Sequence, residues 1–129
     1  MALTYRRTIP ILRSFDEARA KAFYVGFLGF TVGFEHRFEP SLPLYFSVER
    51  DGIVLHISEH HGDGSPGAHV RIDVTGLTAF HAEITARNYR NMRPGLERPE
   101  WGGTEMTVID PAGNRLIFCE DDPAAQAER

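Results

Sequence analysis

The 129-residue chain predicts an α+β fold of paired βαβββ modules, forming a concave sheet with helices on its outer face. Three observations predict it. Residues 50–59 (RDGIVLHISE) and 111–120 (PAGNRLIFCE) repeat a pattern: a glycine-centred turn, a leucine, a variable residue, an apolar residue, a small one and a glutamate. Upstream of each repeat lies a strand signal followed by a helix signal. Between the halves, residues 60–67 (HHGDGSPG) are glycine-rich and aperiodic, the pattern of a linker. The resulting division is one domain over 1–129, with module one at 4–59, linker 60–67, module two at 68–120 and a polar tail at 121–129.

Each element has its own reason. Residues 8–13 (TIPILR) are apolar and β-branched, which predicts a strand. Ser14 and Asp16 supply N-cap chemistry for a helix over 16–28, closed by Gly29. Strands follow at 30–36, 44–49 and 53–59, with Arg50-Asp51-Gly52 as a hairpin turn. In the second half, 69–74 (HVRIDV) is a strand. Leu77, Phe80 and Ile84 then recur at helical spacing toward Asn88. Strands at 104–109 and 114–120 flank the turn Asp110-Pro111-Ala112-Gly113. The segment 89–103 is least regular; a short strand is expected at 88–93, then a long loop.

Composition bounds the function. A hydrophobic share of 42% supports a core without staples, and a net charge of −4 argues against nucleic acid as a partner. The single cysteine, Cys119, cannot form an internal disulfide and reads as a half-buried structural thiol in a reducing compartment. No stretch is apolar enough to span a bilayer, so the expectation is a cytoplasmic chain with no membrane partner. No nucleophile elbow and no phosphate loop occurs.

Strand alternation sorts the side chains. Ile53, Leu55 and Ile57 face the helix, as do Leu44, Phe46 and Val48, then Val70, Ile72 and Val74, then Leu116 and Phe118. The opposite, free face carries Tyr45, Ser47, Glu49, Val54, His56, Ser58, His69, Arg71, Asp73, Arg115, Ile117 and Cys119. Ile9 shares that face. Apolar walls with a few polar groups are the composition of a binding cleft.

Residues 16–30, ending Leu28-Gly29-Phe30, and the turn at 110–114 resemble the vicinal-oxygen-chelate superfamily of glyoxalases, extradiol dioxygenases and bleomycin-resistance proteins. The resemblance covers the whole chain. Metal-dependent members hold an ion with residues from four strands, and the matching positions here are Ile9, His56, His69 and Ile117. Two isoleucines offer no lone pair, so no metal and no cofactor is expected. Residues 99–105 (PEWGGTE) resemble the proline–tryptophan–glycine segment of bleomycin-resistance proteins. Those are dimers that sequester a drug in grooves shared by two chains.

By that resemblance Tyr45 and Trp101 would stack on a flat ligand, and Glu49 and Glu105 would draw a cationic tail. The ligand-binding set is therefore Ile9, Tyr45, Ser47, Glu49, His56, His69, Arg71, Trp101, Glu105 and Ile117, in a homodimer, with no catalytic residue. His36 and Arg37 run against a cationic ligand. A metal-dependent lyase or dioxygenase with a degenerate site is the first alternative. A dimeric interaction module without a small ligand is the second.

Overall fold

A computed structural model describes residues 2–122. Module one runs β1 (Ile11–Arg13), α1 (Glu17–Lys21, continued as a π-helix over Ala22–Phe27), β2 (Thr31–His36), β3 (Tyr45–Arg50) and β4 (Ile53–Ser58). Module two runs β5 (His69–Asp73), α2 (Leu77–Ala86), β6 (Thr104–Ile109) and β7 (Arg115–Glu120). The sheets are ordered β1-β4-β3-β2 and β5-β7-β6. In each, the first strand lies parallel to the last and the remaining pairs are antiparallel. This is the doubled α+β architecture expected from the repeat.

Some elements depart from expectation. The first strand is only three residues long, because its register against β4 runs Ile11–His56 to Arg13–Ser58. No strand forms at 88–93: Asn88 sits at φ 51, and the chain turns there. The second module's extra strand shrinks instead to one bridge, Glu97 against Glu105, with both backbone bonds at 2.8 Å. Prolines at 94 and 99 lack the N–H that a longer ladder needs.

The first helix starts as expected, with Asp16 accepting from the Arg19 N–H at 2.9 Å. Its second half widens, with the Leu28 N–H reaching the Phe23 carbonyl five residues back at 2.9 Å. Phe23, Tyr24, Phe27 and Leu28 are then all buried.

Helix-facing side chains from both sheets, among them Leu12, Phe46, Val48, Leu55, Ile57, Met106, Val108 and Leu116, join these aromatics in one core. Ile53 is the exception on its strand. It shares the parity of Leu55 and Ile57 but is 38% exposed, since it lies at the hairpin end. Cys119 is buried rather than half-buried.

The modules join on their helix side, each hairpin turn reaching the other module's helix. Asp110, in the β6–β7 turn, accepts the Tyr24 hydroxyl at 2.6 Å and the Asn114 side-chain amide at 2.9 Å on one oxygen. Its other oxygen takes the Ala112 and Asn114 N–H groups, both at 2.9 Å. Asn114 also donates to the Arg13 carbonyl at 2.9 Å, tying β7 to β1. Burial first, and Asp110 second, holds the Tyr24 phenol well above its usual pKa. In the reciprocal contact, Arg50 of the β3–β4 hairpin forks onto Glu83 of α2 at 2.7 and 2.9 Å. Arg50 also caps the end of the first helix through the Leu28 carbonyl at 2.7 Å.

Candidate functional site

With the helices occupying the junction, the free faces of the two sheets carry two separate groups of side chains. Among the described residues, no hydrogen bond, ion pair or ring contact joins one group to the other.

On module one, Tyr45, Ser47 and Glu49 of β3 stand opposite Ser58, His56 and Val54 of β4. The Tyr45 hydroxyl lies 2.7 Å from His56 Nδ1. Burial raises the Tyr45 pKa, with Asp63 adding to it, and burial followed by the Arg7 charge lowers that of His56. Both groups are thus neutral near pH 7. When the phenol donates to Nδ1, Nε2 keeps the ring proton and is a donor to whatever lies over the face. Ile11 is the β1 neighbour of His56, and Ile9, two residues earlier on that segment, shares its parity. Glu49 is exposed, toward the hairpin end.

The sequence reading missed Phe34. The register of β2 against β3 jumps between Val32–Val48 and Glu35–Phe46, so Gly33 and Phe34 together oppose Ser47. The bulge turns the Phe34 ring onto the free face, stacked 6.1 Å from Tyr45 and edge-on 5.3 Å from His56. Ser47 holds the bulge by accepting the Phe34 N–H at 3.0 Å. A Cβ on Gly33 would lie 2.4 Å from the Ser47 hydroxyl. A glycine inside a strand pattern was the available signal.

On module two the hub is Glu105. Its Oε2 accepts from Arg71 Nη2 and from Trp101 Nε1, both at 3.2 Å, with the Cys119 sulfur 4.0 Å away. The Glu105 side chain is only 15% exposed. Trp101, by contrast, is 75% exposed. The loop carrying it is pinned at Gly103, whose N–H donates to Asp122 at 3.0 Å. Burial pushes the Cys119 thiol pKa up, which keeps it protonated and inert. Arg71, Trp101, Glu105 and Cys119 bound a shallow pocket of about 80 Å³. Ile117 lies between Arg71 and Thr107, and His69 is exposed beside Arg115.

The donor set does not fit a catalytic metal. Of the four family positions, Ile9 and Ile117 cannot ligate, which leaves only His56 and His69, on strands of different sheets. Among the described residues, no three His, Cys, Asp or Glu side chains converge.

The fold is similar to that of a bleomycin-binding protein complexed with bleomycin, with a TM-score of 0.72, 23% identity, and coverage of 92% of this chain and 100% of the other. A bleomycin resistance determinant encoded on the transposon Tn5 gives a TM-score of 0.71 at 22% identity, covering 92% and 99%. A glyoxalase-related enzyme from Clostridium phytofermentans gives 0.70 at 15% identity, covering 93% and 98%. No curated protein matches the sequence. Among the described residues, no helix is long and apolar enough to cross a membrane. The family model described as glyoxalase superfamily protein matches residues 1–124, and the chain belongs to that superfamily.

Proposed function

We propose that this protein binds a planar, cationic small molecule of the bleomycin type without transforming it, in clefts completed by a second copy of the chain. The observation that carries the reading is Trp101. A tryptophan three-quarters exposed, with its indole tethered to a mostly buried carboxylate, is a preorganised stacking surface. Glu105 puts negative charge beside that surface. A planar cation satisfies both.

The other free face supplies a matching wall, with the Phe34 and Tyr45 rings and the His56 imidazole. The helices lie between the two faces within one chain, so a homodimer that sets face one of one copy against face two of the other would close the cleft. Likeness to bleomycin-binding folds supports the ligand class. The isoleucines at two ligand positions support binding over metal-dependent catalysis. The expected setting is the cytoplasm.

The test is titration of the purified protein with bleomycin, followed by Trp101 fluorescence. Saturable quenching is expected, with Trp101→Ala weakening affinity by about 1–3 kcal/mol, the scale of aromatic stacking on a planar base. Absence of quenching at high micromolar drug refutes the ligand class. Stoichiometric zinc, nickel, manganese or iron surviving dialysis refutes the metal-free reading.

A further inference from the structure

Away from both free faces, a groove of about 450 Å³ opens where the β3–β4 hairpin meets β5 and the start of α2. Phe30, Ile53, Ile72, Phe80 and Phe118 wall it, and Arg50, Asp51, Asp73 and Glu83 supply its charge. The doubled fold offers a comparison. At the reciprocal junction, where the β6–β7 turn meets the first helix, Tyr24, Asp110 and Asn114 are 0%, 5% and 0% exposed, and the contact is solid. At the groove the same task falls to Arg50 and Glu83, whose side chains are 29% and 35% exposed. The volume beside them stays open. Protein interiors rarely leave space of this size, and small-molecule sites run from about 300 to 1,000 Å³.

We propose that this groove is a second small-molecule site, taking an amphiphile with a flat apolar body and one protonated amine. The five apolar walls accept the body. The sign of the head follows from the charges. Three carboxylates line the groove; Arg87 reaches Glu83 from outside the lining at 2.7 Å, and the single lining guanidinium, Arg50, is committed. It donates to the Leu28 carbonyl and both Glu83 oxygens, and it packs 4.9 Å over the Phe80 ring. Asp51, in the exposed hairpin turn, acts on Arg50 through its field, while none of the hydrogen bonds or ion pairs among the described residues engages its carboxylate, so its oxygens are open to a cation. An anionic ligand would have to displace Glu83 from Arg50 and Arg87 and approach the Asp51 carboxylate. The site stands independently of the proposed free-face cleft, since neither Trp101 nor Glu105 lines it.

The experiment uses 1-naphthylmethylamine, with 1-naphthylmethanol and 1-naphthoate as neutral and anionic counterparts. Binding is followed by amide chemical shifts of the full chain. The amine is expected to shift the Ile53, Thr75, Ala79 and Phe80 amides saturably, and the alcohol to bind about two- to five-fold more weakly, the range of an exposed ion pair. Asp51→Asn, which tolerates the left-handed turn, should bring the amine down to the alcohol's affinity. Ala79→Trp, on an exposed helix position, should fill the groove and abolish both. Trp101→Ala should change neither. No saturable shift at these amides at millimolar amine overturns the site. Equal binding of the alcohol or the naphthoate overturns the cationic assignment.

Discussion

Replacing Tyr24 by Phe isolates the junction that welds the modules together. The hydroxyl sits 2.6 Å from Asp110 Oδ2 in a fully buried setting, and its loss leaves that oxygen with the Asn114 amide alone. A buried hydrogen bond to a charged group contributes about 1.5–3 kcal/mol, so Tyr24→Phe should lose that much at pH 7. The ring stays in place, so no cavity adds to it. For a domain of this size each kcal/mol corresponds to about 3–6 °C in Tm. The same residue sets a pH dependence. Its folded pKa lies above the unfolded value near 10, so its stabilising effect is complete below pH 10 and is lost as pH rises toward the folded value. In that window the unfolded chain releases a proton that the folded chain keeps, and wild-type stability falls by about 1.4 kcal/mol per pH unit. Tyr24→Phe lacks this residue's share of the slope and keeps that of Tyr45, whose folded pKa is also raised. Urea denaturation of both proteins, followed by far-ultraviolet circular dichroism at pH 7, 10 and 11, should show a gap that is widest at pH 7 and narrows above pH 10. A gap below 0.5 kcal/mol at pH 7 (about a third of the smallest expected value), or one independent of pH, refutes the argument.

Gly33→Ala should cost about 0.5–1.5 kcal/mol, because the new methyl drives the Ser47 hydroxyl off the Phe34 N–H. In a Ser47→Ala background the same change should cost clearly less, which a double-mutant cycle by urea denaturation measures. Gly103→Ala combines φ +78 with a Cβ 2.7 Å from the Glu120 carbonyl. It should destabilise by more than Gly102→Ala, whose nearest neighbour is the movable Asp122 carboxylate at 3.3 Å. Calorimetry ranks the two, and equal losses would contradict the geometry. His56 has a folded pKa below its unfolded value. Its contribution is therefore complete above pH 6.5 and lost as pH falls through the lowered value. Replacement by Gln should flatten wild-type stability between pH 7 and pH 5, and an unchanged acid slope would assign that slope to other groups.

The doubling was legible in the sequence because it is written in periodicity: alternation separated the two faces of β3, β4, β5 and β7, with Ser47, Ser58 and Cys119 buried on the free face and Ile53 exposed on the other. That residue obeys its parity and is exposed all the same, since parity says nothing of where the overlying helix ends. The missing strand at 88–93 has a similar cause. Asn88 turns the chain there, and the pairing goes to Glu97 opposite Glu105. In the candidate site the family resemblance supplied Glu105, and alternation brought Tyr45 next to His56. It could not supply Phe34, because a bulge shifts parity by one and only the partner strand reveals it. It also could not supply the Asp110 network, whose partner Tyr24 is 86 positions away in the chain.

Duplicated modules start out alike, and the differences between the two copies are where specialised chemistry shows. Module one builds its free face from rings around a neutral His–Tyr pair, a wall of flat surfaces with a few hydrogen-bonding groups. Module two builds its face around a carboxylate gripped by Arg71 and Trp101, a wall of charged groups beside one exposed indole. Pairing like faces across a two-fold axis would give two unequal clefts, one lined twice by rings and one carrying Glu105 opposite its own copy. Pairing unlike faces gives two identical clefts, each with an aromatic wall and a charged one. On the proposed reading a planar cation needs both walls at once, and only the unlike-face pairing would offer them in one cleft.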